Sequence, residues 1–188
     1  MNALAAAGAL ASISGHRRQA MWDVTGIEPR PPVLRDASIP DPVAQLGRPT
    51  EGQDIVADYA SLGLTLGRHP LALLRPRLAK LRMVTAAQLR QLPHGKLARA
   101  AGIVIGRQRP DTASGVIFVT LEDETGMVNV VVWRDVAENQ RRALLGSQLL
   151  AVHGTVERQG EVVHLIAGKL VDHSALLGGL VARSRDFH

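Results

Sequence analysis

Three consecutive carboxylates, Glu122, Asp123 and Glu124, are the densest group of potential metal ligands in the chain. Two-metal phosphoryl chemistry needs such groups converging on one site. These three sit in "GVIFVTLEDETGMVNVVVW", between two runs of strand-forming residues, so Glu122 and Asp123 point to opposite faces. That spacing argues against a metal pair. His153 and His164 could meet on paired strands, but no third ligand has suitable spacing, and ordinary strand histidines are expected. Ser12 and Ser14 lie near His16 without an acid in register. There is no P-loop, no G-x-S-x-G elbow and no dinucleotide fingerprint. The chain has no cysteine, which excludes disulfides, thiolate zinc sites and a thiol nucleophile. No catalytic centre and no cofactor are expected.

The cations carry more information. The net charge is +5, unevenly spread. Residues 1–100 hold 13 Lys/Arg against 7 Asp/Glu, and residues 101–188 hold 9 against 10. Between Asp58 and Asp111 there are ten Lys/Arg and no carboxylate, a pattern that points to a polyanionic partner. No apolar run is long enough to span a bilayer, so no membrane role is expected. The N-terminal "MNALAAAGALASISG" lacks the basic n-region of a signal peptide, and a cytoplasmic location is expected.

Periodicity divides the chain. Residues 1–27 suggest helix in two pieces, with Leu4, Leu10, Ile13, Met21 and Trp22 as its apolar face. Residues 28–50 carry six prolines and suggest a linker. Residues 51–99 suggest a basic helical connector, with a helix over "EGQDIVADYASLGLTL", a second interrupted at Pro76, and a third capped by Thr85 and stopped by Pro93. From Ala100 the period becomes two. Three strands, a helix of about three turns over "RDVAENQRRALLG", and two more strands follow to residue 175, leaving 176–188 as a tail. The expected fold is mainly β with an α-helical N-terminal part: a five-stranded OB-fold barrel with a helix between strands 3 and 4, its Leu144 and Leu145 covering one end.

Alternation in the second strand puts Ile117, Val119 and Leu121 inside and Phe118 and Thr120 outside. OB-folds bind oligonucleotides on that outer face. An outward Phe118 either stacks on a base or packs beneath a loop or against the preceding helical region. Trp133, ending the third strand, either stacks as well or seals the barrel against the helix, the expected use of so large a ring. Arg107 and Arg109 in the first loop, and Arg158 at the last hairpin, are the expected phosphate contacts. The candidate nucleic-acid-binding set is therefore Arg107, Arg109, Phe118, Thr120, Trp133 and Arg158.

"GVIFVTLEDETGMVNVVVW", "EVVHLIAGKLVDHSALL" and the ending "SRDFH" resemble the C-terminal end of bacterial error-prone DNA polymerases, C-family enzymes related to the polymerase III alpha subunit. "ALAAAGALASISGHRRQAMW" is similar to that family's segment after its helix-hairpin-helix motifs, and "SLGLTLGRHPL" resembles its L-G-x-x-x-S/G-x-H-P-L signature. In the family the catalytic carboxylates precede this region. The resemblance therefore implies DNA contact without nucleotidyl transfer, in translesion synthesis and repair. The implied partners are single-stranded or primer-template DNA, and other translesion polymerase subunits or the sliding clamp. "VIFVTLED" also resembles the anticodon-binding OB-fold of aspartyl-type tRNA synthetases, in which the Phe at the position of Phe118 stacks on a base. The alternative is an OB-fold docking adaptor for polymerase or clamp subunits.

Overall fold

The change of periodicity marks the barrel's first strand, which starts three residues earlier than expected: β1 runs Leu97–Gln108. The structure is a computed structural model that describes residues 1–26, 44–110 and 115–178, and the backbone of 185–186. Most of the expected linker and C-terminal tail lies outside the described residues. The chain forms two units, Met1–Leu66 and Gly67–His188.

Among the described residues, the first unit holds four helices: α1 (Asn2–Ala6), α2 (Ala11–Ser14), α3 (Arg17–Thr25) and α4 (Glu51–Leu62). The Nδ1 of His16 caps α3 by accepting from the Gln19 N–H at 3.1 Å. Thr50 and Gln53 form a reciprocal capping box on α4. Arg17 donates to the Asp54 carbonyl at 2.8 Å and pairs with Asp58, tying α3 to α4. The expected apolar face is not buried as such. Leu4, Ile13 and Trp22 are exposed, and the buried contacts are made by Ala5, Ala20 and Ile55. Helices this short offer little area, and alanine lets their backbones approach closely.

In the second unit, α5 (Pro70–Lys80) and α6 (Ala86–Gln91) precede the barrel. Pro76 does not interrupt α5. It forfeits one backbone hydrogen bond, and the helix persists because Leu71 and Leu78 are fully buried on either side of it. Thr85 caps α6 through a capping box with Gln88. Ala86 and Leu89 belong to the barrel's own core. Residues 67–96 are thus built into this unit, whereas the sequence suggested a separate connector.

The strands β2 (Ile117–Asp123), β3 (Gly126–Val132), β4 (Leu149–Gln159) and β5 (Val162–Asp172) complete the barrel with β1. Pairing runs β2-β3-β5-β4-β1, and β1 closes onto β2. Closure removes the free edges. Where β1 crosses β2, Gly102 is required: a Cβ there would lie 2.7 Å from the Leu121 Cβ. Val104, Val119, Leu121, Val130, Val152 and Leu165 fill the interior. A two-residue β6 (Arg185–Asp186) lies parallel to β1.

The helix expected as one piece after β3 is two, α7 (Arg134–Asn139) and α8 (Arg141–Gly146), broken at Gln140. The Gln140 amide donates to the Gly168 carbonyl at 3.1 Å and accepts from the Leu170 N–H at 2.7 Å. Those two bonds hold the break against β5. Leu144 covers the barrel end as expected, whereas Leu145 is exposed.

Candidate nucleic-acid interface

The outer face of β2, β3 and β5 is built by register. Phe118, Val131 and Ile166 are successive partners across the three strands. Thr120, Asn129 and His164 are the next row. Each side chain points outward because its chain neighbours, Val119, Leu121, Val130 and Leu165, point into the core. The result is an apolar row beside a row of hydrogen-bonding groups. Phe118 is 36% exposed, so its side chain is partly packed and partly open to solvent. The Nδ1 of His164 is buried without a hydrogen-bond partner among the described residues.

Trp133 lies two residues beyond Val131 and is 54% exposed. It does not seal the barrel. It caps α7 in extended conformation with no side-chain cap hydrogen bond, and Leu144 covers the barrel end instead. The indole is therefore open to solvent just past the end of β3.

The cations expected to hold phosphate are disposed differently. Arg107 is 7% exposed. Its guanidinium donates to the Leu144 carbonyl at 2.7 Å and to the Ser147 carbonyl at 2.5 Å, closing the C-terminal end of α8. The bulge in β1 between Val104 and Gly106 shifts the register there, which strict alternation from the sequence does not anticipate. Arg158 is also committed: it donates to the Arg90 and Leu92 carbonyls, and its backbone N–H donates to His94 Nδ1 at 3.2 Å. Those bonds pin the β4–β5 hairpin to the end of α6. Arg109 alone of the three is exposed, bordering an open pocket with Arg134, Arg141 and Ile117. The rest of its loop, residues 111–114, lies outside the described residues.

The sequence reading missed Asn129, Val131, His164 and Ile166. Alternation in "MVNVVVW" and "EVVHLIAG" carries them, but the partner row becomes visible only with the register. Among the described residues, no three His, Asp or Glu side chains are grouped to hold a metal ion, and no helix is long and apolar enough to cross a membrane. The Glu122-Asp123-Glu124 turn serves as an anchor: Asp123 accepts from the Ala86 N–H at 2.8 Å, the Thr125 N–H at 2.7 Å and Arg75 Nη2 at 3.1 Å.

A closed five-stranded barrel with this helix placement is an OB-fold, and residues 98–172 match the family model described as an OB-fold nucleic acid binding domain. In sequence the chain is similar to error-prone DNA polymerases. It is 58% identical over 184 residues to the error-prone DNA polymerase of Aromatoleum aromaticum, covering 98% of this chain and 17% of that protein. It is 57% identical over 188 residues to that of Alkalilimnicola ehrlichii, covering 100% and 18%. The chain thus spans less than a fifth of the length of the curated relatives it matches. Among solved structures, asparaginyl-tRNA synthetase from Pyrococcus horikoshii matches at 26% identity and a TM-score of 0.40, over 47% of this chain and 22% of that one.

Proposed function

We propose that this chain is a non-catalytic module that binds single-stranded nucleic acid for an error-prone DNA polymerase engaged in translesion synthesis and repair. The observation that carries the reading is the row Phe118–Val131–Ile166, in which Phe118 is exposed, beside Thr120, Asn129 and His164 and with the exposed Trp133 just past β3. An apolar row with two accessible aromatic rings offers stacking to bases of any identity. The polar row beside it offers hydrogen bonds to whatever base edge is presented. On this reading the chain works beside DNA in the bacterial cytoplasm, holding an unpaired strand while its relatives' other domains supply the chemistry.

The reading gives no catalytic step to this chain. The arginines expected on the interface, Arg107 and Arg158, support the barrel instead. Fluorescence anisotropy with labelled single-stranded DNA at two salt concentrations tests the proposal. Saturable binding that weakens with salt is expected. Binding to a polymerase or clamp subunit without binding to DNA would instead favour the docking adaptor.

A further inference from the structure

On the strands beside the apolar row, three bases face one another with no acid among them. Arg99 on β1 is the register partner of His153 on β4, and His153 is the partner of Lys169 on β5. The row is laid next to the apolar one: two residues on, Leu97 partners Thr155, and Thr155 partners Ile166. A bulge between His153 and Gly154 keeps both rows on the outer surface. Gly154 is needed there, because a Cβ would collide with the Ile166 carbonyl.

Like charges directly opposite on neighbouring strands destabilise a sheet. Neighbouring strands lie only about 4.8 Å apart, so the three groups are close and held on rigid backbone. Arg99 and Lys169 are exposed, and neither makes an ion pair or side-chain hydrogen bond to any described residue. The closest acid in sequence, Asp172, is engaged by Ser174, whose N–H and hydroxyl donate to it at 2.9 and 2.5 Å. The repulsion registers on the histidine: burial, then Arg99, Lys169 and His173, hold His153 below its ordinary pKa.

We propose that Arg99, His153 and Lys169 form a phosphate-binding row that takes the sugar-phosphate backbone of a single strand whose bases lie on the Phe118–Val131–Ile166 row. This rests on the single-strand reading above. It relocates the electrostatic contact from the loops, where the sequence suggested it, to the β1-β4-β5 surface. A bound phosphate relieves the unpaired charge, which no group of the described protein does. The row also restricts the path of the strand, since bases and backbone must lie on adjacent rows of the same sheet.

The test is Arg99→Gln with Lys169→Gln in the full chain, measured by anisotropy with a labelled oligothymidylate over a salt series. Two lost contacts should reduce the slope of log affinity against log salt by about 1.4 and weaken binding roughly 25-fold near 0.1 M salt, with the gap closing towards 1 M. The melting temperature should not fall, because both side chains are exposed and mutually repelling. Addition of oligothymidylate to the unsubstituted protein should move the His153 imidazole NMR signals towards the protonated form. An unsubstituted protein that binds while the variant keeps its slope overturns the phosphate row and leaves the single-strand reading standing. An unsubstituted protein that binds no oligonucleotide overturns both.

Discussion

Arg75 and Asp123 meet at 3.1 Å across 48 residues of sequence, and the same guanidinium holds Glu124 at 2.5 and 2.8 Å. The pair joins α5 to the tip of the β2–β3 hairpin. The Asp123 side chain is almost fully buried, and it also accepts from the Ala86 N–H at the start of α6. One carboxylate therefore organises both helices that precede the barrel. Arg75 of the cationic stretch and the acidic turn within the barrel are complementary parts of one contact.

Asp123→Ala should be strongly destabilising. It leaves a partly buried guanidinium and several backbone and hydroxyl donors without their acceptor. Removing one partner of a buried pair typically costs about 3–5 kcal/mol. The midpoint of urea unfolding, followed by circular dichroism, is the measurement. A shift no larger than that of an exposed control such as Glu161→Ala would mean that the turn does not anchor the helices.

Stability should fall as the solution is acidified, and His69 should account for part of the loss. His69 caps α5, accepting from the Leu71 N–H at 3.1 Å. Burial lowers its pKa below the ordinary 6.5, against the opposing influence of Glu122, Glu124 and Asp123. The unfolded chain therefore takes up a proton at this position at higher pH than the folded one. Between the two values the unfolded state binds more protons, so stability rises with pH there. The contribution is fully present above the unfolded value, starts to disappear as pH falls through it, and is lost below the folded value. His69→Asn keeps a capping side chain and removes the titration. Its unfolding midpoint should depend less steeply on pH in that window. A residual slope of the same sign is expected from His153, also lowered.

Arg107→Ala and Arg109→Ala should separate two roles that the sequence does not distinguish. Both look like loop cations. Arg107 holds two carbonyls at the end of α8, and its loss should cost roughly 1.5–3 kcal/mol per charged hydrogen bond forfeited, with the salt slope of DNA binding unchanged. Arg109 is exposed, and its loss should leave the unfolding midpoint in place. A changed salt slope for Arg107→Ala would place its guanidinium at the nucleic acid.

How much of this was legible follows from what each signal depends on. Strand order, the inward row of β2 and the outward position of Phe118 come from local alternation, which the sequence displays directly. The cap at Thr85 is likewise local. Arg99 was hidden because the strand was started at Ala100, which leaves that arginine in the connector rather than on the sheet. Arg107 was misjudged because a bulge changes which residues face out, and bulges leave little trace in composition. Pro76 looked like a break because propensity weighs one lost hydrogen bond without the buried Leu71 and Leu78 that outweigh it. The row Arg99–His153–Lys169 joins residues far apart in sequence and exists only through strand register. The five-stranded barrel itself was legible; the register of its paired strands and the bulges within them were not.

Phe118 carries the most specific expectation, because its side chain is partly packed and partly exposed. At 36% exposure, most of its surface is packed against neighbours, so Phe118→Ala would lose stability as well as any base it stacks on. Fully burying a side chain of this size is worth about 1.5–3 kcal/mol, and a partial share of that confuses the comparison. Phe118→Leu separates the effects. Leucine keeps apolar volume over Val131, its partner on β3, and removes the aromatic face. Base stacking on an aromatic ring is worth about 1–3 kcal/mol per base, so single-strand affinity should fall roughly five- to a hundredfold with little change in melting temperature. Trp133→Ala, at a more exposed ring, should show the same separation. Unlike the charge variants, both should leave the salt slope intact, since they remove no phosphate contact. If Phe118→Leu binds as well as the unsubstituted chain, Phe118 is packing and Trp133 is left as the ring that reads the strand.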